Sequence, residues 1–382
     1  MKFFSTKIGY FEVIVFLILT FLFYNFTFTI QTDIQLHAQF IKDYADGNKP
    51  FQVNFLYYFL VYSLTFFSSE SPALLLMSVY VLTIATFFKY YLVKLTFLNI
   101  TNKNSIQASV FASMLLFCFS IPFFYYVLDY FYLLNFPPNI WHNSTTIFVM
   151  PFVFSLFYIS VNQLQQHKNS NLLLICILII INAVSKPSFL FVYLIAYPLM
   201  LLMTYPILTK KFWINIAPLA IAMILIVIEY LFIYQSTEVS TNSSIEIDFF
   251  RFYNNWGKGY TNISLLVMAI ISSLLFPMVV ILKNKQFLKQ KILQTVLLFT
   301  TIAILISITL TETGLRENDG NFLWQSFMCV FLLYFSCIYL LLKEITKLGS
   351  SKKFFLEFTV FSIHFISGIL YLINIFINKN YA

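Results

Sequence analysis

The stretch Ile8–Gly47, IGYFEVIVFLILTFLFYNFTFTIQTDIQLHAQFIKDYADG, decides what kind of protein this is. Residues 8–30 carry one charge, Glu12, whereas residues 31–47 carry three aspartates, a lysine and a histidine. About twenty apolar residues in a helix cross the hydrocarbon core of a bilayer. The run 8–30 is too long for a signal-peptide core and has no small-residue cleavage site, so it reads as a retained first span. Glu12 lies near its inner end, within snorkelling reach of the headgroups. The polar residues begin where that span meets water.

The rest of the chain is built in the same way. Of its 382 residues 60% are hydrophobic and only 10% charged, against roughly 25% charged in a soluble domain. So few charges cannot make a water-compatible surface, and the bilayer must be the solvent. Backbone groups in lipid must be bonded internally, and the apolar runs are long enough for helices, unlike the alternating ten-residue strands of a barrel. The net charge of +8 comes from lysines scattered through short loops, which suits membrane anchoring and excludes a nucleic-acid surface. Cys118, Cys176, Cys329 and Cys337 lie inside predicted spans without metal-ligand or disulfide spacing. They read as small packing residues, and no metal centre is indicated.

The expected fold is an all-α polytopic bundle of about eleven spans, at 8–30, 72–96, 105–127, 144–162, 171–185, 188–208, 212–234, 261–282, 292–310, 323–342 and 354–377. A twelfth apolar run, 51–67, is settled by the positive-inside rule. If it does not cross and the amino terminus is cytoplasmic, most of the 23 basic residues fall inside, among them Lys89, Lys94 and the clusters KNKQFLKQK and KEITKLGSSKK. Crossing would invert them all. Residues 51–67 are therefore expected to form a juxtamembrane or re-entrant helix on the outer face. The chain is one membrane domain, 1–382, with an outer loop at 31–71, and most of its 15 acids fall outside. Chemistry is expected on that outer face.

Several polar constellations stand there. In a helix over 33–46, Asp33, His37, Phe40, Ile41 and Tyr44 share one face, ended by Gly47 and Pro50. Asp33 so placed could take a proton from a hydroxyl; the plainer reading is an interfacial helix that Asp33 merely caps. The segment NFPPNIWHNSTT offers His142 and Asn143 for hydrogen bonding to a headgroup or sugar, with Trp141 as an interface anchor. In AVSKPSFLF, Lys186 is a lone outer charge that can hold a phosphate or simply snorkel. The only two arginines, Arg251 and Arg316, both fall in outer loops, the second crowded by Glu312, Glu317 and Asp319. Arginine offers a permanent, bidentate fork for phosphate or carboxylate, against internal ion pairing in a solvated loop. Glu229 is an acid inside a span near its outer end, a functional candidate by position.

With these residues in place, the chain resembles the polyprenyl-phosphate-sugar-dependent glycosyltransferases of the GT-C class, such as protein O-mannosyltransferases and bacterial aminoarabinose transferases. The likeness rests on one span leading to an outer loop whose first acid is Asp33, on the surface helix DIQLHAQFIKDYADG, on the aromatic segment GNKPFQVNFLYYFL, and on the span count. Where members carry a second acid beside the first, this chain has Ile34. The resemblance implies an inverting transfer from a lipid-phosphate-linked sugar, with Asp33 as base towards the acceptor hydroxyl. It implies Lys186, Arg251 and Arg316 as partners of the departing lipid phosphate, and His37, His142, Asn143, Glu229, Glu317 and Asp319 as positioning groups for sugar or acceptor. The implied partners are membrane lipid, the lipid-linked donor, and a glycan, lipid or protein acceptor.

Two other readings compete. An O-antigen or capsule polymerase would use a lipid-pyrophosphate donor. A flippase or transporter would carry inverted repeats and polar residues through the full membrane depth, whereas here they gather on one side. Lysine far above arginine, with abundant Asn, Ile and Phe, points to an AT-rich bacterial genome and hence to a cytoplasmic membrane with its site facing the periplasm or exterior.

Overall fold

The computed structural model describes residues 9–123, 134–235, 244–256, 263–317 and 319–381. In chain order its helices are α1 (Tyr10–Phe28), α2 (Asp33–Ala45), α3 (Leu56–Leu64), α4 (Ser71–Leu98), α5 (Ser105–Phe117), α6 (Ser144–Gln166), α7 (Asn169–Ser185), α8 (Ser188–Leu202), α9 (Lys210–Ile216), α10 (Pro218–Gln235), α11 (Arg251–Trp256), α12 (Ile263–Lys283), α13 (Lys291–Thr309), α14 (Trp324–Leu348) and α15 (Phe355–Asn378). Among the described residues, eight segments are long and apolar enough to cross a membrane: α1, α4, α6, α9–α10 together, α12, α13, α14 and α15. The shorter apolar helices α5, α7 and α8 occupy the remaining predicted runs.

The packing is that of a protein dissolved in lipid. α14 and α6 are almost wholly enclosed, whereas the α9–α10 segment turns most of its surface outward. Leu17, Phe21, Ile84, Ile106 and Leu231 are all exposed. In water such a surface would cost about 25 cal/mol for each Å²; in hydrocarbon it costs nothing. The chain is an all-α polytopic integral membrane protein.

The run 51–67 yields only α3, nine residues long. At 1.5 Å per residue it reaches about 14 Å, half of a hydrocarbon core of about 30 Å, too short to span that core as one helix. α2 stops where expected, and Gly47 beyond it adopts φ +75.

Three expectations need correction. The span drawn over 105–127 leaves the helix at Cys118, so α5 has 13 residues, about 20 Å. Its continuation runs extended between α12 and α15. Phe119 N donates to His364 O (3.0 Å), Ile121 N to Ser272 O (2.9 Å) and Ser367 Oγ to Ser120 O. Non-helical backbone at membrane depth is tolerated only where protein satisfies it, and here two helices do. Gly368 permits the approach, since a Cβ there would lie 1.6 Å from Phe117 O.

Lys89 and Lys94 are not lysine anchors at a headgroup surface, nor does Glu12 snorkel. All three are buried. Glu12 pairs with Lys94 and accepts from Ser109 Oγ (3.0 Å), which ties α1 to α4 and α5. Finally, the bundle carries a small antiparallel ribbon, β1 (Ile245–Ile247) on β2 (Leu310–Glu312), with Ile245 opposite Glu312. It joins two of the loops that were expected to carry arginines.

Candidate functional site

The site starts at the corner between α1 and α2. Thr32, not Asp33, is the cap of α2: its hydroxyl accepts from Ile34 N (3.3 Å), and its own N–H donates to Gln35 Oε1 (2.9 Å). The Gln35 amide nitrogen donates back to the carbonyls of Phe26, Thr27 and Ile30, at 2.7–3.1 Å. Those are the orphan acceptors at the end of α1. One glutamine thus locks the angle between the two helices. Asp33, relieved of capping, presents its carboxylate inward.

Asn143 meets it there. As the cap of α6, Asn143 Oδ1 accepts from Thr146 N (3.1 Å) and from the Thr145 and Thr146 hydroxyls (3.2 and 2.8 Å). Its Nδ2 donates to Asp33 Oδ2 at 3.0 Å. The first turns of α2 and α6, whose dipoles favour negative charge, therefore converge on one carboxylate.

Lys186 enters from the α7–α8 corner. Pro187 disfavours helical backbone at the residue before it, and Lys186 is extended at φ −168. The turn drives its side chain into the protein. Lys186 Nζ donates to Thr145 Oγ1 (3.2 Å) and lies 4.9 Å from the Trp324 ring centre. Burial pulls its pKa down to about 8, while the charges of Asp33, Asp319 and Glu229 hold it up and Arg316 adds to the fall. Those four groups are therefore its electrostatic neighbours.

His37 and His142 are buried beside Asp33 and Lys186. Burial pushes both down to about 4, with Asp33 opposing the shift and Lys186 adding to it. Both are neutral near pH 7. His37 Nδ1 has no protein partner. The His142 ring stacks on Tyr381 at 4.1 Å and 10°, and Trp324 lies 6.0 Å away. Tyr381 arrives because Lys379 ends α15 in a left-handed turn, φ +56, and the Tyr371 hydroxyl holds the Tyr381 carbonyl at 3.1 Å. The charge of Asp33 also reaches Tyr381, whose phenol burial pushes up to about 12.

Asp33, His37, His142, Asn143 and Lys186 thus form one cluster, with Glu229, Arg316 and Asp319 around it. Arg316 leans on Glu312 (3.1 Å) and Asp319 (3.6 Å). Arg251 and Glu317 stand apart. The Arg251 guanidinium holds Glu317 (2.9 Å) and Asp248 (3.2 Å), and Asn255 also donates to Glu317 (2.7 Å). Both of these ionic residues are spent on pinning their loop, so they are not drawn to Lys186.

Tyr381, Trp324, Thr145 and Gln35 belong to the site's construction without having stood out in the sequence. Only Gln35 had a readable signal, the Thr32-x-x-Gln35 capping box. Among the described residues no three His, Cys, Asp or Glu side chains are arranged to hold a metal ion. The arrangement offers a carboxylate oriented by an amide, two neutral imidazoles and a buried cation, which together suit proton abstraction beside an anionic leaving group. Compared with family models and with curated proteins, the sequence matches no family and shows no relative. Fold and site together define an integral membrane protein with a buried polar centre.

Proposed function

We propose that this protein is an inverting glycosyltransferase that moves a sugar from a polyprenyl-phosphate donor to an acceptor hydroxyl on the outer side of a bacterial cytoplasmic membrane. One observation carries the reading: Asp33 and Lys186, far apart in a chain that avoids charge, come within electrostatic reach of each other at the junction of α2, α6 and the α7–α8 corner, linked through Asn143 and Thr145. In the reaction, the acceptor oxygen attacks the anomeric carbon and its proton passes to the Asp33 carboxylate. The bond from that carbon to the phosphate oxygen breaks, and its electron pair leaves with the polyprenyl phosphate. Lys186, with Arg316 behind it, stabilises the phosphate charge. Asn143 holds the Asp33 carboxylate in place. Neutral His37 and His142 supply hydrogen-bonding nitrogens for sugar or acceptor, Glu229 helps to position the same ligand, and Asp319 keeps Lys186 charged. Arg251 and Glu317 serve loop architecture.

The test incubates the purified protein in lipid with polyprenyl-phosphate hexose and, separately, polyprenyl-pyrophosphate hexose. The expected result is consumption of the monophosphate donor. Asp33→Asn is expected to lower turnover at least about 100-fold, the range for losing a general base. Consumption of the pyrophosphate alone would move the assignment to a polymerase. Full turnover by Asp33→Asn would remove Asp33 as the base.

A further inference from the structure

Lys186 and Asp33 are joined by a chain of hydrogen bonds whose direction is fixed at every link. Lys186 Nζ donates to Thr145 Oγ1 (3.2 Å), Thr145 Oγ1 donates to Asn143 Oδ1 (3.2 Å), and Asn143 Nδ2 donates to Asp33 Oδ2 (3.0 Å). An ammonium has three protons and no lone pair, so the Thr145 oxygen must accept from it. The hydroxyl has one proton of its own, and Asn143 Oδ1 receives it. That oxygen is also met by Thr146 N (3.1 Å) and the Thr146 hydroxyl (2.8 Å). With donors converging on its oxygen, the amide has its nitrogen turned to the carboxylate.

The chain is sheltered from water. Lys186, Thr145 and Asn143 are buried and Asp33 is half-buried, and the Trp324 ring centre lies 4.9 Å from the ammonium. In such surroundings each hydrogen bond polarises the next. A neutral amine carries a lone pair and can take the Thr145 proton for itself. The polarity of the whole chain therefore follows the charge on Lys186.

We propose that Thr145 is a positioning residue that couples the Lys186 ammonium to the Asp33 carboxylate, so that cation and anion work as one unit. The coupling deepens the transferase reading, and its part in turnover rests on that reading: a phosphate seated on Lys186 acts on the base through Thr145. The hydrogen bonds themselves need no substrate. The test therefore uses none, and failure of the relay is distinguishable from failure of the transferase assignment.

The experiment follows the titration midpoint of Lys186 by carbon-13 NMR of the protein in detergent, with lysine labelled at Cε and the signal assigned by its loss in Lys186→Arg. The wild-type midpoint is about 8, clear of exposed lysines at about 10.4. Asp33, Asp319 and Glu229 hold it up and Arg316 lowers it; His37 and His142 are neutral in this range and add no charge. Thr145→Val is expected to lower the midpoint by about 0.5–1 pH unit, as for one lost hydrogen bond to an ammonium, and Thr145→Ser to keep it. Asp33→Asn lowers it too. Combined, Thr145→Val and Asp33→Asn are expected to fall short of the sum of their separate effects by at least about 0.4 pH unit, the low end of coupling within one network. Additive effects would mean that Asp33 acts on Lys186 through space alone, and would overturn the relay. A midpoint unmoved by Thr145→Val, or a Thr145→Ser midpoint as low as that of Thr145→Val, overturns it as well. If Thr145→Val does not fold, Thr145→Ala takes its place with the same expectations.

Discussion

Lys186 shows what a single side chain contributes and how its role can be measured. Burial brings its pKa down to about 8, so the ammonium dominates at pH 7 and is lost as pH rises through 8. In the proposed transfer, donor phosphate is bound by the charged form. Affinity for polyprenyl phosphate is therefore expected to be steady from pH 6 to 7 and to fall about tenfold by pH 9.5, consistent with losing a charged hydrogen bond. Lys186→Arg, charged throughout this range, is expected to flatten the profile. Equilibrium binding at a series of pH values reads both outcomes, and a wild-type affinity unchanged at pH 9.5 would take Lys186 off the phosphate. Asp33, His142, Asn143 and Lys186 were legible in the sequence because polar residues at membrane depth are rare and need a reason. Tyr381 was not, being one of 25 tyrosines, and only the left-handed turn at Lys379 brings it to His142. Arg251 was legible as unusual, and Asp248 three residues before it offered one partner, but its second partner, Glu317, is 66 residues away.

At the level of elements, run length located nearly every helix, and it failed where composition and conformation part company. Residues 118–123, CFSIPF, are as apolar as a span and only Pro122 hints at a break. What fixes the extended path is satisfaction of its backbone by Ser272, His364 and Ser367, contacts that no hydropathy window contains. Gly368 is the point of closest approach. Gly368→Ala puts a methyl into Phe117 O and is expected to destabilise the protein by about 1–3 kcal/mol, the cost of overpacking. The thermal midpoint in detergent checks it, and an unaltered midpoint would mean that α5 and α15 slide apart freely. The β1–β2 ribbon escaped the sequence because three residues per strand are too few for alternation to show.

At the level of the whole molecule, the open quantity is sidedness, which the distribution of lysines argues and the fold accommodates. Single cysteines at the exposed positions Asn48 and Lys289, in a background lacking Cys176, separate the two orientations. A membrane-impermeant maleimide added to intact cells is expected to label position 48 and to spare 289; the opposite pattern would turn the proposed site to the cytoplasm. Part of the assembly order follows from the Glu12–Lys94 pair. α1 carries an acid whose basic partner is supplied some eighty residues later by α4. Removing one member of such a buried pair costs about 3–5 kcal/mol, and a nascent chain that has made α1 alone is in that condition. α1 is therefore expected to reach its final depth only with α4 beside it to neutralise Glu12.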